Sequence, residues 1–472
     1  MITCIFLITL TLSLAYSKYP GLKTRITQAG LTYADHVAIN KLATSARGKI
    51  IMVPPGRSGG ATCEMSNLVI QSFTTSISGI EVTADGLNWN AKDISLRIIG
   101  QYHCTYQITP ITDRGTVNVL FGGLSFSIGI SLEADPSGRP TIASNRCSCS
   151  IGSIIVNLYG GTAPAWVYMY FKTSIEIAFR NQLNVKLCSI IETAVNVDAK
   201  RALEKLQVTV DISNMFLLDN RFLATPAFNP YSFLETYHKG EIFWTSNVSV
   251  APFEPFPMPA ITSTQKMMYI WVSDYVFNTL TYEAQIHGVL VYNLTRKDLP
   301  AEAKDFLNTT CKGYACIGSI IPQIGERYSN NQVQMLMSSD FSPKMIANQG
   351  KIYVLCGGTI TMATTQGNEF LLSLNATMQT SVFVYVQNEN IYADVGDIWI
   401  KLHVMKSNVG GLSDAILDMV GNFTLTEFMK PQLNKLGAKG IPLPVTENVH
   451  FVNTEIGVDE DTLMIATDLK YD

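Results

Sequence analysis

The sequence predicts an α+β chain in which one architecture occurs twice, and three observations carry that expectation. Short alternating apolar runs, broken by Gly, Pro and Asp, read as antiparallel strands. Two long apolar stripes at helical spacing read as long helices. A proline-dense stretch separates two segments with the same order of elements. The length of 472 residues also exceeds the roughly 100 to 200 of a single domain, so two large domains are expected.

Ile5 to Leu14 form an apolar run that ends in the small residues Ala15 and Ser17. This reads as a secretory signal peptide over residues 1–17, cut before Lys18. Its apolar core is too short to span a bilayer, and no uninterrupted apolar stretch of about 18 residues follows. The mature chain is therefore expected to be secreted and soluble outside the cell. Asn-x-Ser/Thr acceptor sites at Asn247, Asn293, Asn308, Asn375 and Asn422 point to the same compartment, and all five lie after residue 240.

From Ile26 to Ala46, Leu31, Ala34, Ala38 and Leu42 repeat at helical spacing, which predicts an amphipathic helix. Lys49 to Val156 changes to short alternating runs such as Ser95-Leu-Arg-Ile-Ile99 and Val117-Asn-Val-Leu-Phe121, a meander of strands. Next, Phe171, Ile175, Phe179, Leu183, Leu187, Ile190, Ala194 and Val197 recur every three or four residues without Gly or Pro, and predict a long helix with one apolar stripe. Two such helices on one curved sheet can leave an apolar gap between the layers. Leu31, Phe179, Leu183 and Leu187 are the candidates to line it.

Ala251 to Ala260 holds four prolines in ten residues, a stiff extended strap. Beyond it a helix from Ser273 to Gln285, strands through Leu402 and a second long helix from Leu412 to Leu436 are expected. The last carries Ile416, Met419, Val420, Phe423, Phe428, Leu433 and Leu436 as its stripe, with Pro431 as a kink. The expected organisation is an N-terminal domain over 18–240, a linker over 241–262 and a C-terminal domain over 263–472.

After Cys4 eight cysteines remain: 63, 104, 147, 149, 188, 311, 316 and 356. An even number in an exported chain argues for disulfides, whereas neither close pair has zinc-ribbon spacing and the six His are scattered. No metal site is expected. Charge is divided: Lys18 to Pro230 carries +5 and the remainder −9, for a net −4. A field of +5 over two hundred residues fits either a face for anionic lipid or polysaccharide or a solvated surface with no partner. Nucleic acid is not expected as a partner. No G-x-S-x-G elbow, H-E-x-x-H helix, phosphate loop or dinucleotide fingerprint occurs, so neither an enzyme nor a cofactor is expected; the pairs Gly122-Gly123, Gly160-Gly161 and Gly357-Gly358 read as turns or bulges.

Three stretches carry a family resemblance. Tyr19-Pro-Gly-Leu-Lys-Thr-Arg-Ile-Thr-Gln-Ala-Gly-Leu-Thr-Tyr-Ala34, then Pro252 to Pro259 with Met268 to Thr279, and Gly440-Ile-Pro-Leu-Pro444 resemble the start, linker and end of the bactericidal permeability-increasing and lipopolysaccharide-binding protein family, which includes phospholipid and cholesteryl ester transfer proteins. The resemblance spans essentially the whole chain. It implies an elongated boomerang of two barrels, each a twisted antiparallel sheet wrapped around long helices, with a central sheet between them. It also implies a phospholipid in an apolar pocket of each barrel and a disulfide between Cys147 and Cys188; Cys149, two residues away, is a departure that competes for Cys188 or pairs elsewhere.

In that family lipopolysaccharide recognition depends on a basic tip of the first barrel. The corresponding region here offers Arg47, Lys49, Arg57, Lys92 and Arg97, interleaved with Glu64, Glu81, Asp85 and Asp93. The expected function is a secreted lipid-binding protein that recognises bacterial lipopolysaccharide in innate, antibacterial defence, touching membrane or lipid-particle surfaces transiently. The alternative is an extracellular lipid carrier or transfer protein without an antibacterial role, and a third possibility is a scaffold with a fully packed interior that binds nothing.

Overall fold

In the computed structural model the described residues are 19–472, except 247, 261–262, 300, 313–315, 444 and 446–447. The signal-peptide segment 1–17 and the acceptor site Asn247 lie outside them.

Chain organisation follows from a seam at the centre of the molecule. Leu22–Thr27 runs antiparallel to Met268–Ser273, with Leu22 opposite Val272 and Ile26 opposite Met268. Each strand leads directly into a helix: α1, Gln28–Ala46, is capped by the Thr27 hydroxyl, and Asp274–Ile286 is capped by Ser273. Gly30 permits the first of these junctions, because a Cβ there would lie 2.5 Å from the Met267 carbonyl oxygen. The six-stranded central sheet has the order 227–229, 233–238, 22–27, 268–273, 462–471 and 449–459, so three strands come from each half. Buried in it, Arg25 Nε and one of its terminal nitrogens donate to Glu235 Oε1 at 2.9 and 2.7 Å, with Lys23 at 3.7 Å from the same oxygen. Burial lowers the pKa of Lys23, and Glu235 opposes that shift.

On the N-terminal side an eight-stranded antiparallel sheet is built on Ala61–Thr74, Gly86–Tyr106, Ile111–Ala134 and Pro140–Ser150. It wraps α1 and the long α2, Ala165–Thr193, which continues through a π-helical turn at Ala194–Ala199 into α3, Lys200–Glu204. The buried stripe of α2 differs from the expected one in its last turns. Phe171, Ile175, Phe179, Leu183 and Leu187 are buried, but Ile191 and Val195 follow, while Val197 is exposed. Strict four-residue spacing advances about 40° per step, so the stripe winds around the helix as it crosses the curved sheet. On α1, Asp35 rather than Ala34 faces inward, and accepts from Trp89 Nε1 at 2.8 Å and Ser78 Oγ at 2.6 Å.

The C-terminal half repeats the scheme. The helix Asp274–Ile286 (α4) is followed by short α5, Ile317–Ile320, and α6, Pro322–Arg327, then by a seven-stranded sheet. That sheet runs from the edge strand Val291–Leu294 through Val333–Ser339, Lys351–Thr364, Phe370–Gln387 and Asn390–Ser407 to Ile441–Pro442. The expected long helix divides into α7, Asp414–Thr424, a π-helical turn, and α8, Lys430–Gly437. Pro431 closely follows that turn within one continuous helical run, so its missing N–H interrupts the bonding where the helix passes from π- back to α-type. The expected stripe is corrected in part: Val420 is buried as expected and Leu433 half-buried, but Leu417, Thr424 and Leu425 join Val420 on the inner face while Ile416, Met419, Phe423 and Leu436 are exposed, and the side chain of Phe428 lies outside those described. The strap 251–260 is without regular structure, and the first residues of the expected linker form a strand, Glu241–Trp244, paired with Phe216–Asp219. No helix of the described residues is long and apolar enough to cross a membrane.

Candidate functional site: an apolar cavity in the C-terminal barrel

The two barrels are filled differently, and cross-strand pairs on their inner faces explain why. In the N-terminal sheet Ile70 lies opposite Ile98 and Phe73 opposite Leu96. These large side chains meet Phe179, Leu183, Leu187 and Ile190 of α2 and Leu42 of α1, leaving a cleft of about 40 Å³, little more than one water molecule's share of liquid volume. In the C-terminal sheet Gly358 lies opposite Ala376 and Cys356 opposite Met378. Gly358 and Ala376 send no long side chain across the interior, although a Cβ on Gly358 would itself meet the Ser338 carbonyl oxygen at 2.1 Å. The result is a cavity of about 1000 Å³, at the upper end of ordinary ligand sites.

Leu290, Leu294, Met337, Ile360, Met378 and Ile400 supply much of its wall, and Leu425, Met429, Leu433 and Leu436 close it from the helical side. Cys356 is a free thiol on this wall, and burial pushes its pKa up to about 11. Polar groups also line the cavity: Asp298, Glu427, Gln432, Lys435 and Lys439 are exposed, and Ser338, Ser339 and Thr359 are half-buried. Asp298 Oδ2 accepts from Thr295 N at 2.8 Å and from Thr295 Oγ1 at 2.7 Å, which holds its carboxyl below the usual range. A mostly apolar lining whose charged groups all reach water suits the hydrocarbon of an amphiphile.

Of the residues expected to line a pocket, Phe179, Leu183 and Leu187 meet at the N-terminal cleft. Leu31 does not join them; it packs with Val82 and Leu234 nearer the central sheet. The five cations are spread over separate elements. Arg47 and Lys49 follow α1, Arg57 lies on the short strand Gly56–Ser58, and Arg97 Nε donates to Asn118 Oδ1 at 3.3 Å. Lys92 lines a separate polar cleft with Glu81, Asn88 and Asn90. Among the acceptor asparagines, Asn293, Asn375 and Asn422 are exposed, and Asn308 is half-buried with its amide donating to Asp305 at 3.0 Å.

Cys147 is bonded to Cys188, Cys63 to Cys104 and Cys311 to Cys316, which leaves Cys149 and Cys356 free. The cavity residues Cys356, Gly358, Ala376 and Met378 were not singled out from the sequence as lining. The one available signal was the pair Gly357-Gly358 inside a strand-like run, and its meaning depends on what stands opposite.

The pattern of the N-terminal domain of the LBP / BPI / CETP family matches residues 30–206, and that of its C-terminal domain matches residues 210–471. The chain belongs to the LBP / BPI / CETP family. Relatives match along nearly all of their length: a bactericidal permeability-increasing protein from Sebastes schlegelii is 26% identical over 100% of both chains, and a Homo sapiens lipopolysaccharide-binding protein is 24% identical over 96% of this chain and 94% of its own. A crystal structure of lipopolysaccharide binding protein superposes with a TM-score of 0.65 at 23% identity, covering 96% of this chain and 99% of that one. The LBP / BPI / CETP fold, an elongated boomerang of two barrels about a central sheet, is the fold of this protein.

Proposed function

We propose that this protein is a secreted, N-glycosylated lipid-binding protein that holds the acyl chains of a phospholipid in the C-terminal cavity and recognises bacterial lipopolysaccharide in innate defence. The observation that carries the reading is the cavity itself, about 1000 Å³ and lined mostly by apolar side chains. Each methylene moved from water into such a space contributes roughly 0.8 kcal/mol, so two long chains drive stable binding with no catalytic group. The N-terminal cleft at Phe179, Leu183 and Leu187 is the second, narrower place in the same reading, and Arg47, Lys49, Arg57, Lys92 and Arg97 are the cations available to a phosphorylated headgroup.

Lipopolysaccharide enters through the relatives, whose names state permeability-increasing and lipopolysaccharide-binding roles. Its lipid part is acylated, so the same apolar space serves it, and its anionic groups call on the cations. The spread of those cations favours weak, salt-sensitive recognition over a concentrated basic tip.

The experiment is lipid extraction from the protein purified out of a eukaryotic culture medium, read by mass spectrometry, followed by titration with lipopolysaccharide at low and high salt. The expected result is at least one phospholipid per chain together with lipopolysaccharide binding that weakens as salt rises. Phospholipid without lipopolysaccharide binding would leave a carrier with no antibacterial role. A chain that yields no lipid and cannot be loaded would overturn the reading.

A further inference from the structure

The mouth of the C-terminal cavity is a lateral gap between the sheet edge and α8. On one lip stand Val289, 38% exposed, and Tyr292, 45% exposed, on or beside the edge strand Val291–Leu294; on the other stands Leu436, 59% exposed. All three line the cavity and also face water, so the apolar surface of the interior continues outward over the rim. Lys435, in the last turn of α8, and Lys439, just beyond its end, line the same mouth. Of the two acids there, Asp298 is engaged by Thr295, which leaves Glu427.

We propose that this gap is the face by which the protein docks on a phospholipid bilayer, its lips entering the headgroup region so that a lipid slides between bilayer and cavity without crossing water. The proposal rests on the cavity holding lipid and goes beyond it by naming the surface and its partner.

Three arguments favour a bilayer. Hydrocarbon that crosses water loses stabilisation in proportion to its methylenes, and a continuous apolar path from cavity to lips removes that barrier only if the lips are themselves in lipid. Tyr and Lys beside aliphatic side chains are what a membrane interface accepts, the ring at headgroup level and the ammonium groups beside phosphates. Three apolar lip residues are also too few for a stable protein interface of about 1,200 to 2,000 Å². The acceptor site leaves the approach open: side chains alternate along the edge strand, so with Tyr292 and Leu294 facing the cavity, exposed Asn293 faces away from it.

The test floats the full chain with vesicles of phosphatidylcholine and phosphatidylserine, comparing wild type with Tyr292→Asp/Leu436→Asp, with the milder Tyr292→Ser/Leu436→Ser, and with Met52→Asp at the exposed rim of the N-terminal cleft. Wild type and Met52→Asp should float, and the double aspartate variant should lose about tenfold or more of its vesicle-bound fraction while the serine pair loses less. Transfer of a fluorescent phosphatidylcholine from the wild-type protein should accelerate with vesicle concentration. Undiminished flotation of both double variants, loss of flotation in Met52→Asp instead, a transfer rate independent of vesicle concentration, or a wild-type dimer that the lip substitutions dissociate would each overturn the proposal. Flotation reads docking whether or not lipid is inside, so a chain that floats but carries no lipid contradicts the cavity reading alone.

Discussion

The sulfur of Cys149 lies 2.8 Å from the sulfur of Cys188, which is already bonded to Cys147. Two residues apart on one strand, the side chains of Cys147 and Cys149 share a face and both reach the same position on α2. Removing Cys147 therefore leaves a substitute in place. Cys147→Ser is expected to form the Cys149–Cys188 bond and stay within about 1 kcal/mol of wild type, whereas Cys188→Ser loses the link and roughly 4 kcal/mol in the chain-entropy model. Disulfide mapping and chemical denaturation read both. Burial pushes the Cys149 thiol up to about 11, so in wild type the exchanged bond should accumulate faster at pH 9 than at pH 7.

Filling the C-terminal cavity should abolish its contents without unfolding the barrel. Ala376→Phe adds a ring to a residue that lines the cavity, and should cut co-purified lipid by more than half with an unchanged far-ultraviolet spectrum. Bound lipid in the wild type should also slow alkylation of Cys356, read by peptide mass.

Asp35 organises the inner face of α1. Asp35→Ala would leave the buried Trp89 N–H without its acceptor and should lower unfolding stability by roughly 2 to 3 kcal/mol, while Trp89→Phe, which removes the donor instead, should cost less of that hydrogen-bond energy. Urea denaturation of the two variants decides whether this contact matters as stated.

His238 is fully enclosed, its Nε2 beside the Thr236 hydroxyl and its Nδ1 beside the Asn220 carbonyl oxygen, each at 2.9 Å. Burial lowers its pKa from 6.5 to about 4, so the folded state takes up its proton later than the unfolded chain. The stability this neutral ring contributes is complete above pH 6.5 and lost as pH falls toward 4, at most about 3 kcal/mol. Its ring protons should show no titration shift by NMR between pH 7 and 5.

Asp274, in the first turn of α4, behaves oppositely. Burial raises its pKa from 3.8 to about 6, so its contribution is present below pH 3.8 and lost as pH rises through 6. Asp274→Asn should be more stable than wild type by about 1 kcal/mol at pH 8, and the advantage should vanish below pH 4. Melting curves across that range give the answer directly.

Local pattern determined a great deal of this protein. Alternation and helical spacing predicted the strand meanders, α1, α2 and α4, and the repeated order of elements on either side of the prolines, because backbone periodicity and burial of one face are properties of short segments. The three stretches resembling the LBP / BPI / CETP family carried the boomerang fold. The stripe on α7 was misread because apolar residues stand on two of its faces, Leu417 and Val420 on one and Ile416, Met419 and Phe423 on the other, and spacing alone does not show which face meets the sheet; beyond it a π-helical turn rotates the register of α8.

Whether a barrel is packed or hollow was decided only by the tertiary structure. Leu183 and Leu436 are the same kind of residue at helical spacing, yet one meets Phe and Ile side chains across a filled cleft and the other lines an open cavity. The volume between a helix and a sheet depends on which residues stand opposite one another in neighbouring strands. That register joins positions distant in sequence: Gly358 and Ala376 stand opposite one another only once their strands pair, and Leu436 reaches the same cavity only once α8 packs on the strand Asn390–Ser407.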